Sequence, residues 1–223
     1  MKQGLTEVVF ILDMSGSMAS LSSDTIGGFN TMIEQQKAGQ GEALISTVLF
    51  NSRSILLHDR VNVCHVGPIT KRDYQPMGST ALLDAVGSAI DHISLVHKYA
   101  RPEDVPEHTL FAITTDGMEN SSRSYDLCKV KSLISDRQQK CGWEFLFLGA
   151  NIDAAATAAD MGIDRSHAAQ YVCDAEGTAL NYETLSDTIL CMRASAPIRD
   201  DWKSKIEADS KKRGKGDRHG NAL

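Results

Sequence analysis

Asp13, Ser15 and Ser17 stand at alternate positions in "FILDMSGSM", directly after an apolar run, and two further oxygen-rich clusters follow downstream. Gly78-Ser79-Thr80 lies in "MGSTAL", and Asp116 lies in "AITTDGMENS". Each has an ordinary structural reading when taken alone. Ser17 or Ser20 can cap a following helix, Ser79 or Thr80 can cap a helix opening at Ala81, and Asp116-Gly117 is a common turn pair. Brought together, Asp13, Ser15, Ser17, Thr80 and Asp116 would place two carboxylates and three hydroxyls in one pocket. Such hard oxygen donors suit Mg²⁺ or Mn²⁺ and not zinc, which favours sulfur and imidazole. Octahedral Mg²⁺ takes six oxygens at about 2.0–2.1 Å and usually keeps several waters. Ser15, Ser17 and Thr80 could ligate the ion directly, with Asp13 and Asp116 holding its waters. Mostly neutral ligands would leave the ion open to an anionic oxygen from outside.

For these clusters to meet, strands must carry them to a common rim. Short apolar runs bounded by polar or turn residues read as buried strands at Glu7 to Leu12, Leu44 to Phe50, Thr109 to Thr114 and Glu144 to Leu148. Arg53 to Val61 follows the turn signal Asn51-Ser52 and is expected to pair antiparallel with the strand before it, at a sheet edge. Helical spacing marks Thr25 to Lys37, Ala81 to Val96, Ser124 to Gln139, Asp153 to Met161 (with Gly162 as its stop) and Glu183 to Arg193. Strands alternating with helices imply an α/β fold, a doubly wound and mostly parallel sheet with one antiparallel edge strand and helices on both faces. In such sheets functional groups gather at the carboxyl ends of strands, where the polar clusters fall.

The chain of 223 residues is long enough to bury a large core without disulfide or zinc staples. Residues 1–195 read as one domain. Residues 196–223, charged and nearly free of large apolar side chains, read as a solvated, disordered tail. A net charge of −6 argues against nucleic-acid binding, which normally leaves a basic footprint. Cys64, Cys128, Cys141, Cys173 and Cys191 are odd in number, far apart and without a CxxC pair, as expected of reduced, mostly buried thiols in a cytosol. No stretch approaches the roughly 18 apolar residues of a membrane span. The block Val8 to Leu12, stopped by Asp13, is too short for a signal-peptide core. A cytoplasmic protein without a membrane partner is expected.

The DxSxS motif after the first strand, a GST-type threonine and a TDG aspartate together resemble the von Willebrand factor A domain. The likeness covers about residues 4 to 195. It implies a metal-ion-dependent adhesion site at Asp13, Ser15, Ser17, Thr80 and Asp116, holding Mg²⁺ or Mn²⁺, with a partner protein's Glu or Asp carboxylate completing the coordination. It therefore implies metal-dependent protein binding and no catalysis. "TTDGMENS" and "FLFLGANIDA" look more like bacterial or phage intracellular members than secreted adhesion modules. Asn120 and Ser121 follow Asp116 closely and could orient its carboxylate or cap the next helix. Asn151 and Asp153 lie on the same expected rim, Asp153 as a helix N-cap.

The rival reading is a Mg²⁺-dependent hydrolase or phosphotransferase on a Rossmann-like fold. Haloacid-dehalogenase-type enzymes need a second acid two residues after the nucleophilic aspartate, and here that position is Ser15. No nucleophile is paired with a base, and His97 reads as a surface residue at a helix end. Lys203, Lys205, Lys211, Lys212, Arg213, Lys215 and Arg218 give the tail a basic character that could touch nucleic acid or an acidic protein. Asp200, Asp201, Glu207, Asp209 and Asp217 dilute it.

Overall fold

Alternate residues of the run Val8 to Leu12 point to opposite sides of a sheet, and both sides are covered. The structure, a computed structural model, describes residues 1–214. The run lies in β1 (Lys2–Asp13), followed by β2 (Glu42–Phe50), β3 (Ser54–Asn62), β4 (Pro106–Thr115), β5 (Glu144–Gly149) and β6 (Ala168–Gln170). They form one sheet ordered β3-β2-β1-β4-β5-β6. Among the described strands β3 alone runs antiparallel, against β2.

The helices are α1 (Ser22–Lys37), α2 (Leu82–Tyr99), α3 (Leu127–Cys141), α4 (Ala154–Asp160), α5 (Ala175–Arg193) and α6 (Ser204–Gly214). On one face Val8, Phe10 and Leu12 pack with Phe29 and Ile33 of α1 and Leu185 and Ile189 of α5. On the other, Val9 and Ile11 pack with Val86 and Ile90 of α2, Ile134 of α3 and Ala158 of α4. This is the expected doubly wound α/β sheet. No helix among the described residues is long and apolar enough to cross a membrane.

Several details differ from the sequence expectations. β6 is too short to show a periodicity. α5 begins at Ala175 and not at Glu183, because the Asp174 carboxylate accepts the Gly177 N–H at 2.8 Å and caps a polar first turn. Part of the tail expected to be disordered is a docked helix, α6. Ile206 is its one large apolar residue and is buried, so no apolar stripe announces it. Polar contacts supply the rest. Trp202 Nε1 donates to Ser166 O at 2.8 Å, Lys203 Nζ to Ala168 O at 2.7 Å, and Arg213 pairs with Asp174 and Asp209. The basic side chains of this segment are thus largely spent on the protein itself. Residues 215–223 lie outside the described part.

The thiols are free, but they are not mostly buried as expected: Cys64, Cys128 and Cys141 are exposed. His97 is not a surface residue either. Its Nε2 lies 2.5 Å from Oε2 of Glu7, a fully buried residue of β1 whose other oxygen accepts from Arg60 Nε at 2.6 Å. That pair ties the last turn of α2 to the centre of the sheet.

Candidate metal centre

β1 and β4 are neighbours at the point where the strand order reverses, so the loops leaving them diverge and open a crevice at their carboxyl ends. Asp13 ends β1 and Asp116 follows the last residue of β4. Both are buried, at 1% and 3% exposure. Asp13 Oδ1 accepts the Ser15 N–H at 2.7 Å, which fixes the turn that presents Ser15, and Oδ2 accepts from Thr115 Oγ1 at 2.7 Å. The hydroxyls of Ser15 and Ser17 lie 3.1 Å apart, and Ser17 Oγ donates to Asp116 Oδ1 at 2.6 Å. A methyl group placed on Gly117 would come within 3.8 Å of Thr80 Oγ1 and 4.0 Å of Ser17 Oγ. The missing side chain of Gly117 therefore leaves a small space bounded by loops from all three sequence clusters. Asp13, Ser15, Ser17, Thr80 and Asp116 meet at one rim.

Backbone contacts lock the loops together. Gly16 N–H donates to Gly78 O at 3.1 Å and Met77 N–H to Met14 O at 3.0 Å. Asn120 clamps Thr80 from both sides: its Oδ1 accepts the Thr80 N–H at 2.9 Å, and its N–H donates to Thr80 O at 3.0 Å. Asn120 thus orients Thr80, where its place in the sequence suggests Asp116. Neither Ser79 nor Thr80 caps α2. Glu119 does so from the neighbouring loop, accepting the Leu83 N–H at 2.9 Å together with the Ser121 and Ser122 N–H groups. Neither Ser17 nor Ser20 caps α1, which has no side-chain cap bond. The Ser17 and Thr80 hydroxyls are thereby kept from capping. Asp153 does cap α4, accepting the Ala156 N–H at 2.9 Å, and Asn151 reaches Asp116 O at 3.4 Å.

Burial pushes the Asp13 carboxyl above its ordinary range against the pull of the Thr115 and Ser15 hydrogen bonds, and the Asp116 charge adds to the rise. Among the described residues no Lys, Arg or His pairs with either carboxylate; their partners are hydroxyls and an amide. Two buried acids with only such partners are costly unless a cation compensates them. No group of three His, Cys, Asp or Glu gathers anywhere among the described residues. The donors here are hydroxyl and carboxylate oxygens, a hard set that fits a divalent cation such as Mg²⁺ or Mn²⁺.

Two residues of the rim escape sequence reasoning. Thr115 holds Asp13, and only its place beside Asp116 at a strand end hints at a role. Tyr74 is buried and donates its hydroxyl to Asp13 O. Burial drives its phenol well above the ordinary range, so it remains a donor. Nothing in the sequence links a tyrosine to a strand end so far upstream.

No family model and no curated protein matches this sequence. Solved structures do match it. The PilB minor pilin of Streptococcus sanguinis aligns with a TM-score of 0.62 at 12% identity, over 88% of this chain and 64% of that one. The vWF domain of the type V pili tip protein Mfa5 from Porphyromonas gingivalis aligns at 0.58 and 10% identity, over 87% and 98%. Proximal thread matrix protein 1 from the mussel byssus, with a zinc-occupied MIDAS motif, aligns at 0.57 and 13% identity, over 84% and 46%. The chain therefore spans less than two thirds of the pilin and under half of the byssus protein. These likenesses establish the fold as that of von Willebrand factor A domains.

Proposed function

We propose that this chain is a metal-dependent protein-interaction module of the bacterial or phage intracellular type. Ser15, Ser17 and Thr80 offer their hydroxyl oxygens to a Mg²⁺ or Mn²⁺ ion, and Asp13 and Asp116 hold its waters and balance its charge. When bound, the ion supplies an electron-poor open position for one carboxylate oxygen from a Glu or Asp of a partner protein. The observation that carries this reading is the pair of buried carboxylates, Asp13 and Asp116, each accepting from a hydroxyl and, among the described residues, left without a cationic partner. The occupied MIDAS motif of the byssus protein supports it by analogy. The exposed thiols of Cys64, Cys128 and Cys141 support a reducing, cytoplasmic setting.

The test is calorimetric titration of the chelator-treated protein with Mn²⁺ and Mg²⁺, alongside Asp13→Asn. The wild type should bind one ion and melt at a higher temperature with metal than in EDTA. In Asp13→Asn the titration heat and the metal-induced shift should vanish. Its melting in EDTA should stay close to that of the wild type, because removing an uncompensated buried charge offsets the one hydrogen bond that the amide nitrogen no longer accepts. A wild-type protein that neither titrates nor shifts would overturn the proposal.

A further inference from the structure

A cleft of about 670 Å³ opens beside the candidate metal centre, between the β2–β3 turn and the segment that leads to Gly78. Its lining includes Met14, Arg53, Ile55, Arg72, Asp73 and Met77. Met14 directly follows Asp13, and Gly78, at the other margin, stands two residues before Thr80, so the cleft is bordered by the chain segments that carry two of the candidate ligands.

Its charge differs from that of the chain as a whole, which is −6. Arg53 and Arg72 are both exposed, and among the described residues neither has an acidic partner, a state they share with Arg123 and Arg165, whereas Arg60, Arg101, Arg137, Arg199 and Arg213 are paired. The single acid in the lining, Asp73, is occupied: its Oδ2 accepts from Thr70 N–H at 2.8 Å and from Thr70 Oγ1 at 2.7 Å. Two large apolar side chains, Ile55 and Met77, are half or more exposed on the same surface.

The cleft is also tied to the metal loops by hydrogen bonds. On the Arg53 side, Ser79 N–H donates to Ser52 Oγ at 3.3 Å, and Ala81 N–H donates to Asn51 O at 2.9 Å. Asn51 in turn holds Arg53, accepting its N–H at 3.1 Å. On the Arg72 side, Tyr74 donates to Asp13 O and Met77 N–H to Met14 O. The turn carrying Arg72 is thereby joined to Asp13, and the turn carrying Arg53 to the two residues that flank Thr80.

From this juxtaposition we infer that the partner enters as an extended acidic segment: one carboxylate at the ion, a second acidic residue at Arg53 and Arg72, and an apolar residue against Ile55 and Met77. This deepens the metal-site reading and rests on it. A second charge contact outside the coordination sphere sets which acidic segments are accepted, since charge complementarity acts on specificity.

The experiment is selection from a random-peptide phage library on the immobilised full chain in Mn²⁺, with elution by EDTA, run in parallel on Arg53→Glu/Arg72→Glu. Mn²⁺ titration of the double variant should match the wild type. Wild-type peptides should carry two acids at a constant spacing, and the variant should replace the second acid by Lys or Arg. A synthesised wild-type peptide should bind the variant about tenfold or more weakly, the scale expected when like charges are opposed. A single conserved acid, or the same consensus from both proteins, would overturn the inference while leaving the metal reading intact. No EDTA-released peptide from either protein, with Mn²⁺ titration intact, would overturn the partner-carboxylate reading and the inference with it, while metal binding stands. A Mn²⁺-dependent dimer of the chain alone, dissolved by the double variant, would seat a second copy in the cleft and overturn the assignment to a partner.

Discussion

The Thr80 hydroxyl is held differently from those of Ser15 and Ser17. Asn120 clamps its backbone on both sides, while among the described residues its Oγ1 makes no hydrogen bond of its own. Removing that oxygen should therefore cost little stability, under about 1 kcal/mol, because no buried partner is orphaned. Thr80→Ala should weaken Mn²⁺ binding about tenfold or more while Thr80→Ser keeps it within about threefold, since a direct ligand is lost in one and kept in the other. Titration calorimetry and a melting curve in EDTA read the two effects separately. All five candidate ligands are legible in the sequence, because short side-chain oxygens next to strand ends advertise themselves. Asn120 and Glu119 are legible only as polar residues near Asp116. Their targets, Thr80 and the start of α2, come from another loop.

At the scale of elements, the site is three loops pinned to one another. Gly78 has φ +74°, and a Cβ there would stand 2.6 Å from Ser52 Oγ. Gly78→Ala should cost about 1–2 kcal/mol through the left-handed backbone. It should also lower Mn²⁺ affinity several-fold by displacing the turn before α2 that carries Thr80. Adding Ser52→Ala should restore part of that affinity by clearing the contact, which titration of the double variant would show. The loop after β4 is pinned by Glu119 and Asp84. Burial works against both charges, yet the Leu83 and Ser122 contacts hold the Glu119 carboxyl below its ordinary 4.5, and the Arg123, Tyr125 and Ser124 N–H groups hold Asp84 below 3.8. Each is a depressed acid, so its stabilisation is fully present above those ordinary values and is lost as pH falls through the lowered ones. Glu119→Gln should therefore flatten the acid limb of a stability–pH curve below about pH 5, measured by urea unfolding. An unchanged limb would show that the clamp does not stabilise the loop.

At the scale of the whole molecule, α6 is an outer layer added to a sheet that is already complete. It reaches the core through Ile206 and is otherwise held by polar contacts to β6 and the residues around α5. Ile206→Ala should cost about 2–4 kcal/mol, as for other fully buried aliphatic truncations. Below the melting transition Mn²⁺ binding should be unaffected, because the metal loops lie at the β1–β4 rim. A loss of Mn²⁺ affinity in a folded Ile206→Ala protein would instead couple α6 to the site.

The sequence by itself determined the alternation of strands and helices, the hairpin edge and the identities of the ligand-type residues. These are local properties, written in the apolar periodicity of Val8 to Leu12 or Leu82 to Val96 and in the turn chemistry that ends each run. Only the tertiary structure decided which hydroxyls escape capping, that Asp13 and Asp116 lie buried with hydroxyl and amide partners, and that Tyr74 and Thr115 hold Asp13. It also decided that His97 faces Glu7 and that a polar tail segment docks through one isoleucine. Each of these depends on groups distant along the chain meeting in space. A hydrogen bond or ion pair leaves no period in the sequence by which its partner can be found.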